Sequence, residues 1–179
     1  AGYGSSWGPG TCPATFTSTA SLKTAVQAYN ADPAAAIATY GLIADWDVSA
    51  VTDMSWLFHN LNNFNADVSS WDTSSVTRMD HMFYGASAFN QPLTFDTSKV
   101  TAVNSMFRGA SAFNQPLSLD TSSVTDTSYM FEGASAFNQP LSFDTSSVTD
   151  MRHMFSGAPL SDANKLLIRC AWAGTSAFA

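Results

Sequence analysis

A nine-residue segment, GASAFNQPL, occurs three times without change, at residues 85–93, 109–117 and 133–141, each copy 24 residues after the previous one. A fixed period of about 20 to 50 residues is typical of stacked repeats, because one such unit cannot bury its apolar face alone. The period therefore constrains the fold more than any other feature of this chain. It predicts one element pattern, repeated and stacked on itself.

Alignment on the Phe of each Met-Phe or Leu-Phe pair divides the array into five coils of 24 or 25 residues. The coils begin at Trp46, Trp71, Phe95, Leu119 and Phe143. Counted from these residues, position 2 is always Asp, position 6 always Val and position 13 always Phe. We expect these positions to serve the stack itself, whereas the varying positions are free to differ between coils.

Each coil predicts one short helix and one strand. Val at position 6, mostly Met at 9 and 12, Phe at 13 and mostly Ala at 16 have helical spacing, and Gly at position 15 of four coils falls where a helix would end. QPLSFD then alternates apolar and polar residues, as a strand does. The predicted fold class is an α/β solenoid: a right-handed stack of five strand–short-helix coils with helical N- and C-terminal caps.

The chain is predicted to be a single repeat domain, 1–179. Residues 1–45 form an N-terminal cap with two helices, one starting near Ser21 and one ending at Gly41. The five coils occupy 46–158, and a C-terminal capping helix that begins after Ser161 lies within 159–179. An Asn column at position 20 of the first four coils, Asn65, Asn90, Asn114 and Asn138, is expected to satisfy buried backbone groups of the turn.

The composition excludes several classes of function. The net charge is −7, with thirteen Asp, one Glu and seven Lys plus Arg, and without a basic stripe we expect no binding to nucleic acid. No apolar run approaches the roughly 20 residues that span a bilayer, so no membrane span is predicted. No hydrolase, metalloprotease or nucleotide-binding motif occurs, and we expect no enzymatic activity.

Cys12 and Cys170 lie near opposite ends of the chain, outside the repeats. Two cysteines in these places predict a disulfide that ties the ends together, and two free thiols are the alternative. A disulfide, few Lys and many Ser and Thr are typical of an extracellular or cell-surface protein. The absence of an initiator Met indicates a processed product or a piece of something longer.

The Asp column offers a possible metal site. Stacked carboxylates repel one another unless they bond locally or share cations, and their oxygens suit calcium. The calcium candidates are Asp72, Asp96, Asp120 and Asp144. The favoured interpretation is an Asx-turn by each Asp, because no calcium-loop glycine spacing accompanies them; no cofactor is otherwise predicted.

A second column consists of small hydroxyls on the predicted strand face: Thr94, Ser118 and Ser142. A regular strip of this kind could lie against a polysaccharide or an ice surface. Plain solvation of a strand face is the alternative, because soluble strands commonly carry Ser and Thr outward.

Positions 11 and 14 face away from the apolar stripe of the predicted helix and differ between coils. Aromatic residues and Arg are the side-chain types that anchor protein contacts, and unselected variation is the alternative. The partner-binding candidates are Trp56, His81, Tyr84, Arg108, Tyr129 and His153. The expected partners are other proteins or neighbouring copies of the same module.

The repeat WDTSSVTRMDHMFYGASAFNQPL and its copies resemble the leucine-rich-repeat-like units of BspA-like surface proteins, also found in mycoplasma lipoproteins and large secreted algal proteins. The resemblance covers about residues 38–160. It implies a non-enzymatic extracellular module for adhesion, protein binding or assembly, one of several tandem copies. The alternatives are ice or glycan recognition through the hydroxyls, and a purely structural subunit of a filament or large complex.

Overall fold

The computed structural model of the chain describes residues 12–175. Helices lie at both ends: α1 spans Thr19–Ala31, α2 spans Pro33–Tyr40 and α3 spans Asp162–Ala171. A 3-10 turn covers Ile43–Asp45. Residues 46–160 consist of turns, extended segments and isolated bridges.

The helix ends follow from local capping. The Ser18 side chain accepts the N–H of Ser21, so α1 begins two residues before the predicted start. Asp32 caps α2, and Gly41 ends it with φ 77°. The predicted cap of α3 is confirmed, since the Ser161 side chain accepts a backbone N–H of the first turn. No described helix is long and apolar enough to cross a membrane.

The predicted α/β solenoid of strand–short-helix coils is wrong. Within residues 12–175 there is no β-strand or sheet, and no α-helix lies inside the coils. Four isolated parallel bridges connect successive coils, joining Asp53, Arg78, Ala102, Asp126 and Asp150 in that order. The coils contact one another, but through a different backbone pattern.

The segment predicted as a helix is a series of tight turns, which we call the rung: residues 79–86 and their equivalents in the other coils. The N–H groups of Met82 and Tyr84 close turns on the carbonyls of Met79 and His81. The N–H groups in between, at 79, 81, 83 and 85, donate to carbonyls 102, 104, 106 and 108 of the next coil at 2.8–3.0 Å. Alternate N–H groups thus serve the coil itself and its neighbour.

The helix prediction failed because two backbone patterns share one apolar spacing. Val76, Met79, Met82, Phe83 and Ala86 are all buried, as predicted. A spacing of three and four residues buries one face of an α-helix and equally one side of consecutive three-residue turns. The rung contains left-handed residues at positions 11 and 15, a backbone conformation that an α-helix of L-residues does not contain.

The predicted strand keeps its alternation without becoming a strand. Leu93 and Phe95 are buried, and Thr94 between them is exposed. Polar side chains join the coils on this side: the Asn90 N–H donates to Asn65 Oδ1 at 2.9 Å, and the Gln91 side chain donates to the same oxygen at 3.1 Å. The same bonds recur at 114/115 and 138/139, which confirms the predicted role of the Asn column.

Two columns of phenylalanine form the centre of the core. The first contains Phe58, Phe83, Phe107, Phe131 and Phe155, and the second contains Phe64, Phe89, Phe113 and Phe137. Rings of neighbouring coils lie 4.8–6.1 Å apart and within 16° of parallel. The buried face of α1 covers one end of these columns, and Trp172 packs on Phe155 at the other.

The predicted disulfide is wrong: Cys12 and Cys170 are free and exposed. Cys12 lies beside Gly41 at the N-terminal helices, whereas Cys170 belongs to α3, which follows the last coil. The stack of five coils lies between these two ends, so the cysteines do not pair. Residues 1–11 of the predicted N-terminal cap and 176–179 of the C-terminal cap lie outside the described residues.

Candidate binding surface

Position 11 of every coil has an unusual backbone conformation. Trp56, His81, Ser105, Tyr129 and His153 all have φ between 54° and 59°. A left-handed residue other than Gly or Asn costs about 1–2 kcal/mol, and such costs are commonly retained where a side chain has a function. Four of the five coils nevertheless place an aromatic or imidazole ring here, where a glycine would cost less.

The rings at this position join side chains of position 14 in one continuous surface, which we call the aromatic strip. It consists of Trp56, His59, His81, Tyr84, Arg108, Tyr129, Glu132 and His153. At its first end the His81 ring stacks on Trp56, with centroids 3.8 Å apart and planes 8° apart. His59 meets the edge of Trp56 at 4.9 Å.

Arg108 connects the two halves of the strip. Its guanidinium carbon lies 5.5 Å from the centroid of the Tyr84 ring and 5.2 Å from that of Tyr129. The Arg108 Nε lies 2.7 Å from a carboxylate oxygen of Glu132. In this coil position 11 is the small, buried Ser105, so the arginine occupies the part of the strip where no ring is present. The strip consequently runs without interruption through all five coils.

A buried carboxylate supports the strip from below. Asp80 is only 4% exposed and accepts two hydrogen bonds from Arg78, at 2.9 and 3.0 Å. Its second oxygen also lies 3.4 Å from Nδ1 of His81. The His81 ring is therefore held on one side by Trp56 and on the other by the ion pair of Asp80 with Arg78.

Burial, followed by the nearby charges of Lys23 and His81, lowers the pKa of His59 below its ordinary value. A neutral imidazole packs against an indole edge without the desolvation cost of a charge. This end of the strip accordingly presents flat, weakly polar rings, and the Arg108 region presents a cation.

The structure brings together all six predicted partner-binding residues, although it does not test what they bind. Trp56 is 37% exposed, and the Arg108 side chain is 38% exposed. The side chains that sequence reasoning did not select are His59, Glu132 and Asp80. Asp80 could have been suspected from the sequence, because Arg78 lies two residues before it and a cation at that spacing can pair with a buried carboxylate.

The second predicted surface is also present as a column. Thr94, Ser118 and Ser142 are exposed at equivalent positions of successive coils. The Thr94 hydroxyl already donates to the Ser69 carbonyl at 2.8 Å. Recognition of a glycan or an ice surface by this column stays a prediction.

The carboxylates at position 2 form the expected Asx-turns. In the third coil the N–H and hydroxyl of Ser98 both donate to Asp96 Oδ1, at 2.9 and 2.7 Å. In the second, fourth and fifth coils, the N–H of the serine two positions after the Asp likewise donates to the carboxylate. The three carboxylates are those of Asp72, Asp120 and Asp144. Among residues 12–175 no group of three or more His, Cys, Asp or Glu side chains is arranged to hold a metal ion.

These turns predict a loss of stability in acid. The serine hydroxyl, then its backbone N–H, lowers the pKa of Asp96 and likewise of Asp120 below the ordinary value. A lowered folded-state pKa stabilises the fold above the ordinary value near 3.8, and this contribution is lost as pH falls through the folded pKa. We expect the urea midpoint to fall between pH 5 and about pH 2.

The matched control for this titration is Asp96→Asn with Asp120→Asn. The amide oxygens still accept the serine N–H groups but no longer titrate, so the variant should show a smaller change of midpoint with pH. If the urea midpoint of the variant changed with pH as steeply as that of the wild type, other carboxylates would be responsible for the acid dependence.

The model of a family described as "Mycoplasma protein of unknown function, DUF285" matches residues 20–141 and, in an overlapping second match, residues 94–166. Neither the curated proteins nor the solved structures gave a significant match to the chain. The matched segments include the whole aromatic strip, which extends from Trp56 to His153.

Proposed function

We propose that this chain, which belongs to the DUF285 family of mycoplasma proteins of unknown function, is a non-enzymatic module that binds another protein through the aromatic strip. The observation that carries the proposal is the unbroken contact of Trp, Tyr, His and Arg side chains across five successive coils. Trp, Tyr and Arg are the residues that most often dominate the energy of protein interfaces.

The strip is suited to binding because its side chains are already ordered. Each ring contacts another ring or a guanidinium, and the left-handed backbone of position 11 is repeated in every coil. Rings that are held in one orientation lose little conformational entropy when a partner arrives. The identical Phe and Asn columns, by contrast, are committed to the stack and offer little to a partner.

The proposal includes an extracellular or surface-displayed location in a longer chain with several such modules. Its support is the resemblance of the repeat to BspA-like surface proteins, together with the acidic composition and the low number of lysines. Adhesion and assembly with neighbouring copies are both compatible with a module of this kind. Mapping the full-length precursor would test the tandem arrangement directly.

The binding role is tested with a strip variant, Trp56→Ser with Tyr84→Ser and Tyr129→Ser. Immobilised wild type and variant are compared on a panel of purified extracellular proteins and glycans. For a protein partner we expect binding to fall about tenfold or more, because interface aromatics each contribute about 1–2 kcal/mol or more. Circular dichroism and the urea midpoint establish that the variant is folded.

The matched control variant is Thr94→Ala with Ser118→Ala and Ser142→Ala, which alters only the exposed hydroxyl column. It should bind the protein partner like the wild type. Loss of binding in this control, with retention in the strip variant, would overturn the proposal and favour recognition of a glycan or ice surface. A wild type that binds nothing on the panel but forms filaments would instead favour a purely structural subunit.

A further inference from the structure

The hydrogen bonds between the rungs all point in one direction. In each of the first four coils, the N–H groups at positions 11, 13 and 15 donate to carbonyls of the following coil. No rung donates a backbone N–H to the coil before it within residues 46–160. The peptide dipoles of the rungs are therefore aligned, with their positive ends toward the C-terminal coil.

The last coil repeats this geometry without a neighbour. Its turns are closed as in the other coils, since the N–H groups of Met154 and Ser156 donate to Met151 and His153. The alternate N–H groups, those of residues 151, 153, 155 and 157, have no acceptor among residues 12–175, and we call them the donor row. Phe155 is partly exposed, whereas the four Phe residues before it in its column are fully buried.

The opposite end of the stack is covered by α1. The Thr19 hydroxyl donates to the carbonyl of Asp53 at 2.6 Å, at one end of the first rung. The buried residues of α1, Leu22, Ala25 and Val26, belong to the same core cluster as Met54, Leu57 and Phe58 of the first rung. The helix therefore packs on the first coil and bonds one end of its carbonyl row. α3, in contrast, bonds Asn138 through Asn164 and supplies no backbone acceptor to the donor row.

This polarity disfavours a second copy of the chain as the partner of the donor row. Two donor rows cannot pair with each other, because neither supplies an acceptor. In a second copy, α1 packs on the first coil and already bonds one end of that carbonyl row. The partner must instead bring free backbone carbonyls or carboxylates, as an added peptide strand does at a sheet edge.

Basic residues slightly outnumber acidic residues around the donor row. Residues 150–175 carry three of the seven Lys and Arg residues and two of the fourteen acidic ones, Asp150 and Asp162, although the chain has a net charge of −7. Arg152 and Lys165 each pair with one carboxylate, and Arg169 is exposed. A cavity of about 190 Å³ lies beside them, lined mainly by Phe155, Leu160 and Ile168.

We propose that the donor row is a docking edge for an acidic peptide segment of another protein. The segment adds its carbonyls as the next rung, places an apolar side chain in the cavity beside Phe155, and presents its carboxylates to the basic residues around it. This edge shares one residue with the aromatic strip, His153, whose backbone N–H belongs to the edge and whose ring belongs to the strip. The tests below report on backbone amides, so the edge can fail while the proposed function stands.

The first test measures hydrogen exchange of the free chain by NMR. The matched internal controls are the amides at 127, 129, 131 and 133, which hold the same positions one coil earlier and are bonded to the last coil. We expect the donor-row amides to exchange at least about tenfold faster than these controls, because a bonded amide must open before it exchanges. Equal protection of the two sets would overturn the proposal.

The second test adds a labelled peptide with the sequence TDTSYMFEGAS, residues 125–135, which is acidic and already presents its carbonyls to the coil before it. We expect it to bind and to slow exchange at the donor row, and a scrambled peptide of the same composition to do neither. Arg169→Glu should weaken binding about three- to fivefold, as expected for a surface charge pair.

Lys99→Glu is the control reversal of charge, on an exposed side chain of the third coil. It should leave binding of the peptide unchanged. Equal weakening by the two reversals, equal binding of the scrambled peptide, or protection that rises elsewhere but not at the donor row would each overturn the proposed edge. Concentration-dependent dimerisation with protection of the donor row would assign it to a second copy and would overturn the proposal as well.

Discussion

Phe107→Ala is expected to lower the free energy of unfolding by about 3–5 kcal/mol. The ring is fully buried in the middle coil, between Phe83 at 5.5 Å and Phe131 at 5.6 Å, and it stacks on Phe113 at 4.1 Å. Neighbouring coils hold these rings from both sides, so the cavity cannot collapse without shifting the rungs. Equilibrium denaturation in urea measures the effect.

Tyr129→Ala is the matched control, since it removes an aromatic ring from the same rung region but from the half-buried strip. The substitution removes the stacking of Tyr129 on His153, at 5.2 Å between ring centroids, and the contact of the Tyr129 ring with Arg108. Exposed contacts of these kinds contribute modestly, and we expect a loss below about 1 kcal/mol. A larger loss for Tyr129→Ala than for Phe107→Ala would show that the Phe column is not the centre of the core.

Asn114→Ala is expected to destabilise the chain by about 1–3 kcal/mol. It leaves the Asn138 N–H without an acceptor, and the Gln139 side chain keeps only its bond to the Asn114 carbonyl. The Asn114 Oδ1 accepts the Asn138 N–H at 2.9 Å and the Gln139 side chain at 3.1 Å. Asn138 and Gln139 are only partly exposed, so water replaces the lost bonds incompletely. Chemical denaturation again provides the measurement.

Asn114→Asp separates this role from the loss of side-chain volume. A carboxylate keeps the accepting oxygen, and both of its partners are donors, so the variant should retain most of the stability at neutral pH. If Asn114→Asp were as unstable as Asn114→Ala, the amide would act through a bond other than the Oδ1 ladder.

The burial pattern of the coils was predictable from the sequence, but the elements were not. Positions 6, 12, 13 and 16 are apolar in every coil, and position 9 is apolar in all but the fourth, where it is Thr127. This repetition identifies them as core whichever backbone carries them. Met79 and Met82 are three residues apart, which suits both a helix and a closed turn. The carbonyls of the neighbouring coil decide between the helix and the closed turn. A local sequence pattern contains no information about where those carbonyls lie.

The aromatic strip was partly predictable. Because equivalent positions of stacked repeats lie side by side, the variable residues Trp56, His81 and Tyr129 were expected to share one surface even though the helix was wrong. Arg108 filling the place above Ser105 could not be derived, because it depends on side chains from three coils. Asp80 was missed for the same reason: its burial follows from how the rungs pack.

The sequence by itself determined the period, the five-coil array, the core residues, the Asn and Asp turns and the capping of the terminal helices, since each of these depends on residues close together in the chain or on strict repetition. The tertiary structure decided that rungs of turns replace helices, that the cysteines stay apart, and that the donor row finds no acceptor among residues 12–175. The physical reason is that an N–H group bonds the nearest well-placed carbonyl. In this stack that carbonyl often belongs to a residue about 23 positions further along the chain.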